Sequence, residues 1–332
     1  MYSFRGGSAD EVWTQAVEAL RSGQGHAQDS RGGATDELLH SIFSISDPRR
    51  RWTTVRNPPM SVAFAVAEVV WIVSGRNDVE FLTFWNTRLP EFSGPALRLH
   101  GAYGYRLRRS LGFDQLERAY SALRSNADSR QVVLQIWDGR LDLPRDDGSP
   151  ADRDIPCNIC SLLKVRSGKL HWTQVLRSND IYRGVPYNFV QFTFLQEVLA
   201  GWLGLDVGDY THVSDSLHLY ENTKQQVLSY RQQSCDQPAD DYRLSRQDSC
   251  RAFRRLSDGI QMLQQPRLNA VDFEQIANEL PPAYANLLFV CGAESARRHK
   301  LPDQVLMMRS RCTNSLLLFL LDAWLKRMKF LR

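Results

Sequence analysis

The stretch VAFAVAEVVWIVSG, residues 62–75, is apolar up to Ser74 except for Glu68. A helix over these residues has no polar face to offer water, so it is buried nearly all round and other layers must enclose it. One carboxylate inside such a helix is expensive. Burial raises its pKa, which suits acid–base work, while a pairing with a core arginine is the purely structural explanation. At 332 residues, with 43% hydrophobic and 23% charged content, the chain has material for one large domain or two ordinary ones.

Several function classes fall away early. No apolar stretch approaches the ~18 residues that cross a bilayer, and the run from Leu316 to Leu321 is cut by Asp322, so it reads as a buried helix and no membrane partner is expected. The amino-terminal MYSFRGGSADEVW has no basic region followed by an apolar run, which makes the reducing cytoplasm the expected compartment and the six cysteines thiols. A net charge of +4, from 41 basic and 37 acidic residues, is too balanced to argue for nucleic acid.

Residues 9–23 read as an amphipathic helix and 29–37 as a glycine-rich turn carrying Arg31. Residues 130–139 and 161–176 are β-rich, the second turning at Ser167-Gly168 as a hairpin does. A long apolar helix is expected from Phe189 to Leu203 and a strand over 209–220. After about residue 221 the composition shifts to Gln, Arg, Ser and Asp at helical spacing, followed by one final apolar helix over 301–332. The expected organisation is a catalytic domain over 1–221 and a helical extension over 222–332 packed on it.

RDIPCNICSLLKV, residues 153–165, places Cys157 and Cys160 three apart before an alternating apolar run. Zinc usually needs two such pairs, and a redox pair belongs at a helix start rather than a strand. Taken alone, the pair is open to four readings: metal clamp, redox couple, buried structural thiols, or one nucleophile with a bystander.

The stretch has company. LRSNDIYRGVPYNF (176–189) and HVSDSLHLY (212–220) follow it, and AEVVWIVSG, GAYGYRLR and DSRQ precede it. In this order and spacing, over about residues 10–221, they resemble thymidylate synthase and the pyrimidine nucleotide hydroxymethylases. The resemblance implies an α+β fold, a mixed β-sheet layered with helices, in a homodimer. It implies Cys157 as nucleophile, Arg177 stabilising its thiolate, Glu68 assisting proton movement, and Asn158 and Tyr103 beside them. It gives the nucleotide phosphate to Arg177, Ser178 and Arg31, with Arg130 reaching across from the partner subunit, and the sugar hydroxyl to His218 and Tyr220. Asn188 would read the base edge, its amide oxygen toward N3–H and its nitrogen toward O4 for uracil, or flipped for cytosine. Asp180, Trp85 and Gly184 would hold the folate, with 5,10-methylenetetrahydrofolate as one-carbon donor and no metal.

The sequence departs from that pattern at Asn158, where the family has histidine, and at Leu176, Gln131, Arg88 and Asp215-Ser216. The family's short folate-closing tail is not recognisable beyond residue 300. An altered folate wall favours entry of water over exclusion of it, so the expected reaction is 5-hydroxymethylation of CMP, dCMP, UMP or dUMP, including the cytidylate chemistry of nucleoside-antibiotic pathways. Reductive methylation of dUMP and a non-catalytic nucleotide-binding role are the competitors.

Overall fold

In this computed structural model, which describes all residues except 31, 95, 232–233, 236–239, 267–268 and 332, the strands form one mixed sheet. They are β1 (Tyr2–Gly6), β2 (His26–Ser30), β3 (Gly33–Ile45), β4 (Val133–Gln135), β5 (Asn158–Arg166), β6 (Lys169–Asp180) and β7 (Asp206–Tyr220). Their order is β1-β3-β7-β6-β5-β4, with β2 pairing the first part of β3. β1 lies parallel to β3 and β6 parallel to β7; the other pairings are antiparallel. The β5–β6 hairpin turns at Ser167 (φ 50°) and Gly168 (φ 74°), the paired positive values of a tight turn that follows strand twist.

The helices of the first two thirds are α1 (Ala9–Arg21), α2 (Val62–Val73), α3 (Val79–Thr83), α4 (Leu89–Ser93), α5 (Tyr103–Arg108), α6 (Gln115–Ser125), α7 (Gly139–Asp142) and α8 (Gly184–Leu203). Ser61 caps α2 by accepting from Phe64 N, and every residue of that helix except Glu68 is buried. α8 lies across one face of β6 and β7 and contacts α2. It begins at Gly184, five residues before the expected start at Phe189, because Pro186 in a first turn gives up a donor that has no helical acceptor anyway. The β-rich reading of 130–139 shrinks to three strand residues, followed by the short α7.

Beyond β7 the described elements are helices, among them α9 (Lys224–Leu228), α10 (Arg246–Met262), α11 (Ala270–Glu279), α12 (Pro282–Arg298), α13 (Pro302–Arg311) and α14 (Ser315–Arg327). The single closing helix expected over 301–332 is two helices. Asn314 accepts from Leu317 N at 2.9 Å and starts α14 afresh, and Arg309 pairs with Asp322 at 2.7 Å across the break. These helices pack against α2 and α8. Glu197 of α8, fully buried, takes Arg51 on one oxygen and Tyr242 N at 3.0 Å on the other, and Arg298 donates to Trp85 O at 2.7 Å.

Candidate active site

The register of the sheet gathers the sequence motifs at one end. β5 starts where β6 and β7 finish, with Asn158 opposite Leu176, Ser178 opposite Ser216 and Asp180 opposite His218. Cys157 immediately precedes β5 and is half-buried, and its carbonyl accepts from Arg177 N at 2.9 Å. The Arg177 side chain then wraps the same loop: Nε donates to Pro156 O at 3.0 Å and Nη2 to Ile155 O at 3.3 Å, with the guanidinium 5.3 Å from the centre of the Trp137 ring. These bonds fix a positive charge on the loop that carries the thiol. Cys160 lies three residues on within β5, and burial pushes its thiol up, so it stays protonated.

Glu68 reaches this end from α2. Its carboxylate accepts from Gln191 Nε2 at 2.6 Å, and burial pushes it up to about 7. Tyr103, first residue of α5, sits among Cys157, Asn158 and Glu68, and burial raises its phenol well above the usual range. Two close approaches fix that position. A Cβ on Gly104 would lie 2.2 Å from Ile72 O, so α5 crosses α2 backbone to backbone, and one on Gly101 would lie 2.9 Å from Asp154 O in the loop before Cys157. Asn158 is fully buried and its Oδ1 accepts from Gln174 Nε2 at 2.9 Å. Gln191 Oε1 is buried without a hydrogen-bond partner, and Asn158 Nδ2 faces the Tyr103 hydroxyl without closing a normal bond to it. Orphaned polar groups of this kind beside a thiol and a carboxyl suit a polar ligand that completes their bonds.

Asn188, on the second turn of α8, is 6% exposed and donates to Asn179 Oδ1 at 3.2 Å. His218 and Tyr220 meet edge to face with ring centres 5.0 Å apart. The Tyr220 ring covers the backbone of Gly32; the neighbouring Arg31 lies outside the described residues. Asp180 Oδ1 accepts from Tyr182 N at 2.7 Å and Arg183 N at 3.0 Å, tying the entry to α8. Ser178 is half-buried on β6, and Arg130 is exposed in the bend before β4, away from the residues just described.

Two residues at the expected folate wall are placed as follows. Trp85 is 1% exposed, packed edge-on against Phe84, and therefore has no open face on which a ring could stack. Arg88 is turned to solvent in an ion pair with Glu91 at 2.8 Å. Gly184 stands at the start of α8 for a steric reason: a Cβ there would lie 2.3 Å from Asn179 Oδ1. Sequence reasoning missed Gln191, Asn179, His212 and Trp137. Gln191 carried a signal, being three residues after Asn188 and so on the same helical face.

Among the described residues no group of three or more His, Cys, Asp or Glu is placed to hold a metal ion, and no helix is long and apolar enough to cross a membrane.

Comparison with known proteins gives a family and several relatives. A family described as thymidylate synthase matches residues 18–261, a span that ends within α10. The chain is 32% identical over 231 residues to the deoxyuridylate hydroxymethyltransferase of Bacillus phage SP01, covering 66% of this chain and 59% of that protein. It is 37% identical over 207 residues to the protein of the same description from Pseudomonas phage M6, covering 61% and 58%. It is 33% identical over 201 residues to the thymidylate synthase of Clostridium beijerinckii, covering 60% and 72%. The chain thus spans just under three fifths of the length of the two phage proteins.

Proposed function

The chain belongs to the thymidylate synthase family, and on that footing we propose that it transfers a one-carbon unit from 5,10-methylenetetrahydrofolate to C5 of a pyrimidine nucleoside 5′-monophosphate. The Cys157 thiolate adds to C6, which breaks the ring conjugation and makes C5 a carbon nucleophile. C5 attacks the folate methylene and loses its proton, tetrahydrofolate leaves, and an exocyclic methylene remains. Water then adds to that methylene and the thiolate departs, giving the 5-hydroxymethyl nucleotide and tetrahydrofolate. Glu68, held near pKa 7, is the group to shuttle the protons.

The observation that carries the proposal is the junction of Cys157 with Arg177, where one backbone bond and two guanidinium bonds fasten the cation to the loop of the nucleophile. Arg177, Ser178 and Arg31 take the phosphate, with Arg130 of a second subunit, and His218 and Tyr220 take the sugar. Homodimerisation through the sheet is supported by its face opposite α8, where Leu162, Thr173, Val175 and Val213 are only half-buried and Leu39 is 41% exposed. Asp180 remains the proposed contact to the pterin.

Hydroxymethylation of dUMP is favoured by the descriptions of the phage relatives and by a folate wall in which Trp85 is covered and the solvent-facing Arg88 stands where the family has tryptophan. Reductive methylation is the second reading, supported by the Clostridium relative. The test is purified protein with methylenetetrahydrofolate and UMP, dUMP, CMP or dCMP. Tritium leaves C5 of at least one nucleotide, and mass spectrometry finds tetrahydrofolate with a hydroxymethyl product. Dihydrofolate with a methyl product selects the second reading, and no release from any of the four overturns both.

A further inference from the structure

Behind Asn188 lies a chain of buried polar side chains. Asn179 accepts from Asn188 Nδ2 through Oδ1, and its own Nδ2 donates to His212 Nε2 at 2.8 Å and Ser214 Oγ at 3.2 Å. His212 Nδ1 lies 2.8 Å from the Tyr210 hydroxyl. Tyr210, His212 and Ser214 have no exposed surface and Asn179 has 2%. Phe43 and Phe189 meet the imidazole edge-on with ring centres at 5.8 and 5.2 Å.

In that enclosure burial pushes the His212 pKa down to about 3. A neutral imidazole has one N–H and one lone pair. With the Asn179 amino group on Nε2, that nitrogen accepts, and Nδ1 carries the proton and donates to Tyr210. Asn179 is left with its oxygen toward Asn188, so Asn188 turns its nitrogen to Asn179 and keeps its oxygen on the other side. The other tautomer reverses every link: Nε2–H would donate to Asn179 Oδ1, Asn179 Nδ2 would donate to Asn188 Oδ1, and the Asn188 amide would be turned round. Uracil presents an N3–H donor and an O4 acceptor, whereas cytosine presents an N3 acceptor and an amino donor. The two orientations therefore fit opposite bases.

We infer that Asn179 and His212 are positioning residues that hold the Asn188 amide in one orientation and so set the choice between uracil and cytosine. This rests on the proposed role of Asn188 at the base edge. Gly184 belongs to the device, since any Cβ there would displace Asn179 Oδ1 from its place beside Asn188.

The test compares kcat/KM for dUMP with that for dCMP. His212→Phe keeps an aromatic ring among Phe43 and Phe189 but removes the acceptor, and Asn179→Leu removes both ends of the link; in each the preference falls by about tenfold. Asn179→Asp keeps an acceptor facing Asn188 and retains the preference, a rescue that loss of packing alone would not produce. Asn188→Asp serves as the control and shifts preference toward dCMP. If Asn188→Asp shifts the preference while His212→Phe and Asn179→Leu leave it unchanged, the relay is overturned and the base-reading role stands. If Asn188→Asp changes nothing, both are overturned. A readout that needs no variant is nitrogen NMR of histidine-labelled protein: His212 is neutral with its proton on Nδ1, and a proton on Nε2 overturns the inference.

Discussion

Glu68 and Glu294 are both carboxylates on helices packed in the interior, and the molecule treats them in opposite ways. Glu294, on α12 and fully buried, receives Arg297 at 2.7 Å, Arg298 at 2.8 Å and Trp324 Nε1 at 2.9 Å, so both oxygens are committed. Glu68 is given one amide, from Gln191, whose own oxygen is left without a partner. The helical region spends its buried carboxylate on cohesion, joining α12 to α14. The sheet end keeps its carboxylate underbonded, and the cost in stability is what leaves a proton free to move near neutral pH.

The largest effect that sharpens this contrast is at the thiol. Cys157→Ser lowers tritium release from C5 at least about 10³-fold while the unfolding midpoint stays where it was. A variant that keeps its activity removes the nucleophile from the scheme. Glu294→Ala shows the reverse pattern, losing about 3 kcal/mol in urea titration because two arginines lose their counter-charge, with kcat/KM of the folded fraction changed little.

Glu68→Gln joins the two properties. The folded pKa of about 7 lies above the ordinary 4.5, so the native state holds the proton more tightly than the unfolded chain. This group therefore costs stability progressively as pH rises from 4.5 to 7, up to about 3 kcal/mol above that. Glu68→Gln accordingly melts higher than wild type at pH 8, the gap closes toward pH 5, and turnover falls at both. An equal gap at the two pH values would refute the account of Glu68 as a raised carboxyl. The smallest effect comes from Gln191→Leu: losing the bond that favours the carboxylate moves the Glu68 limb of the kcat profile upward, which a pH series measures.

Much of this was legible beforehand, and the failures are instructive. The apolar run around Glu68 predicted a buried α2, and Ser167-Gly168 predicted the hairpin, because both signals are local. Pro186 hides the start of α8 from the apolar pattern, because proline resembles a breaker although a first turn tolerates it. The break between α13 and α14 has neither Pro nor Gly to announce it; an Asn cap makes it. The burial of Trp85 against Phe84 had no signal in the sequence, since a residue type in a given order does not say which way its ring faces. The pairing of Asn179 with His212 joins neighbouring strands across 33 residues of sequence and exists only once the sheet is assembled.

The parallel pairing of β6 with β7 has a further consequence. Side chains on a strand alternate between faces, so a one-residue offset does not blur the partnership of Asp180 with His218; it swaps whole rows of groups from one side to the other. A misaligned fold of this chain would conserve its helices, its mass and most of its buried area, and yet point its histidines at the wrong neighbours. Errors in assembly here are thus all or nothing for chemistry, even where they are mild for shape.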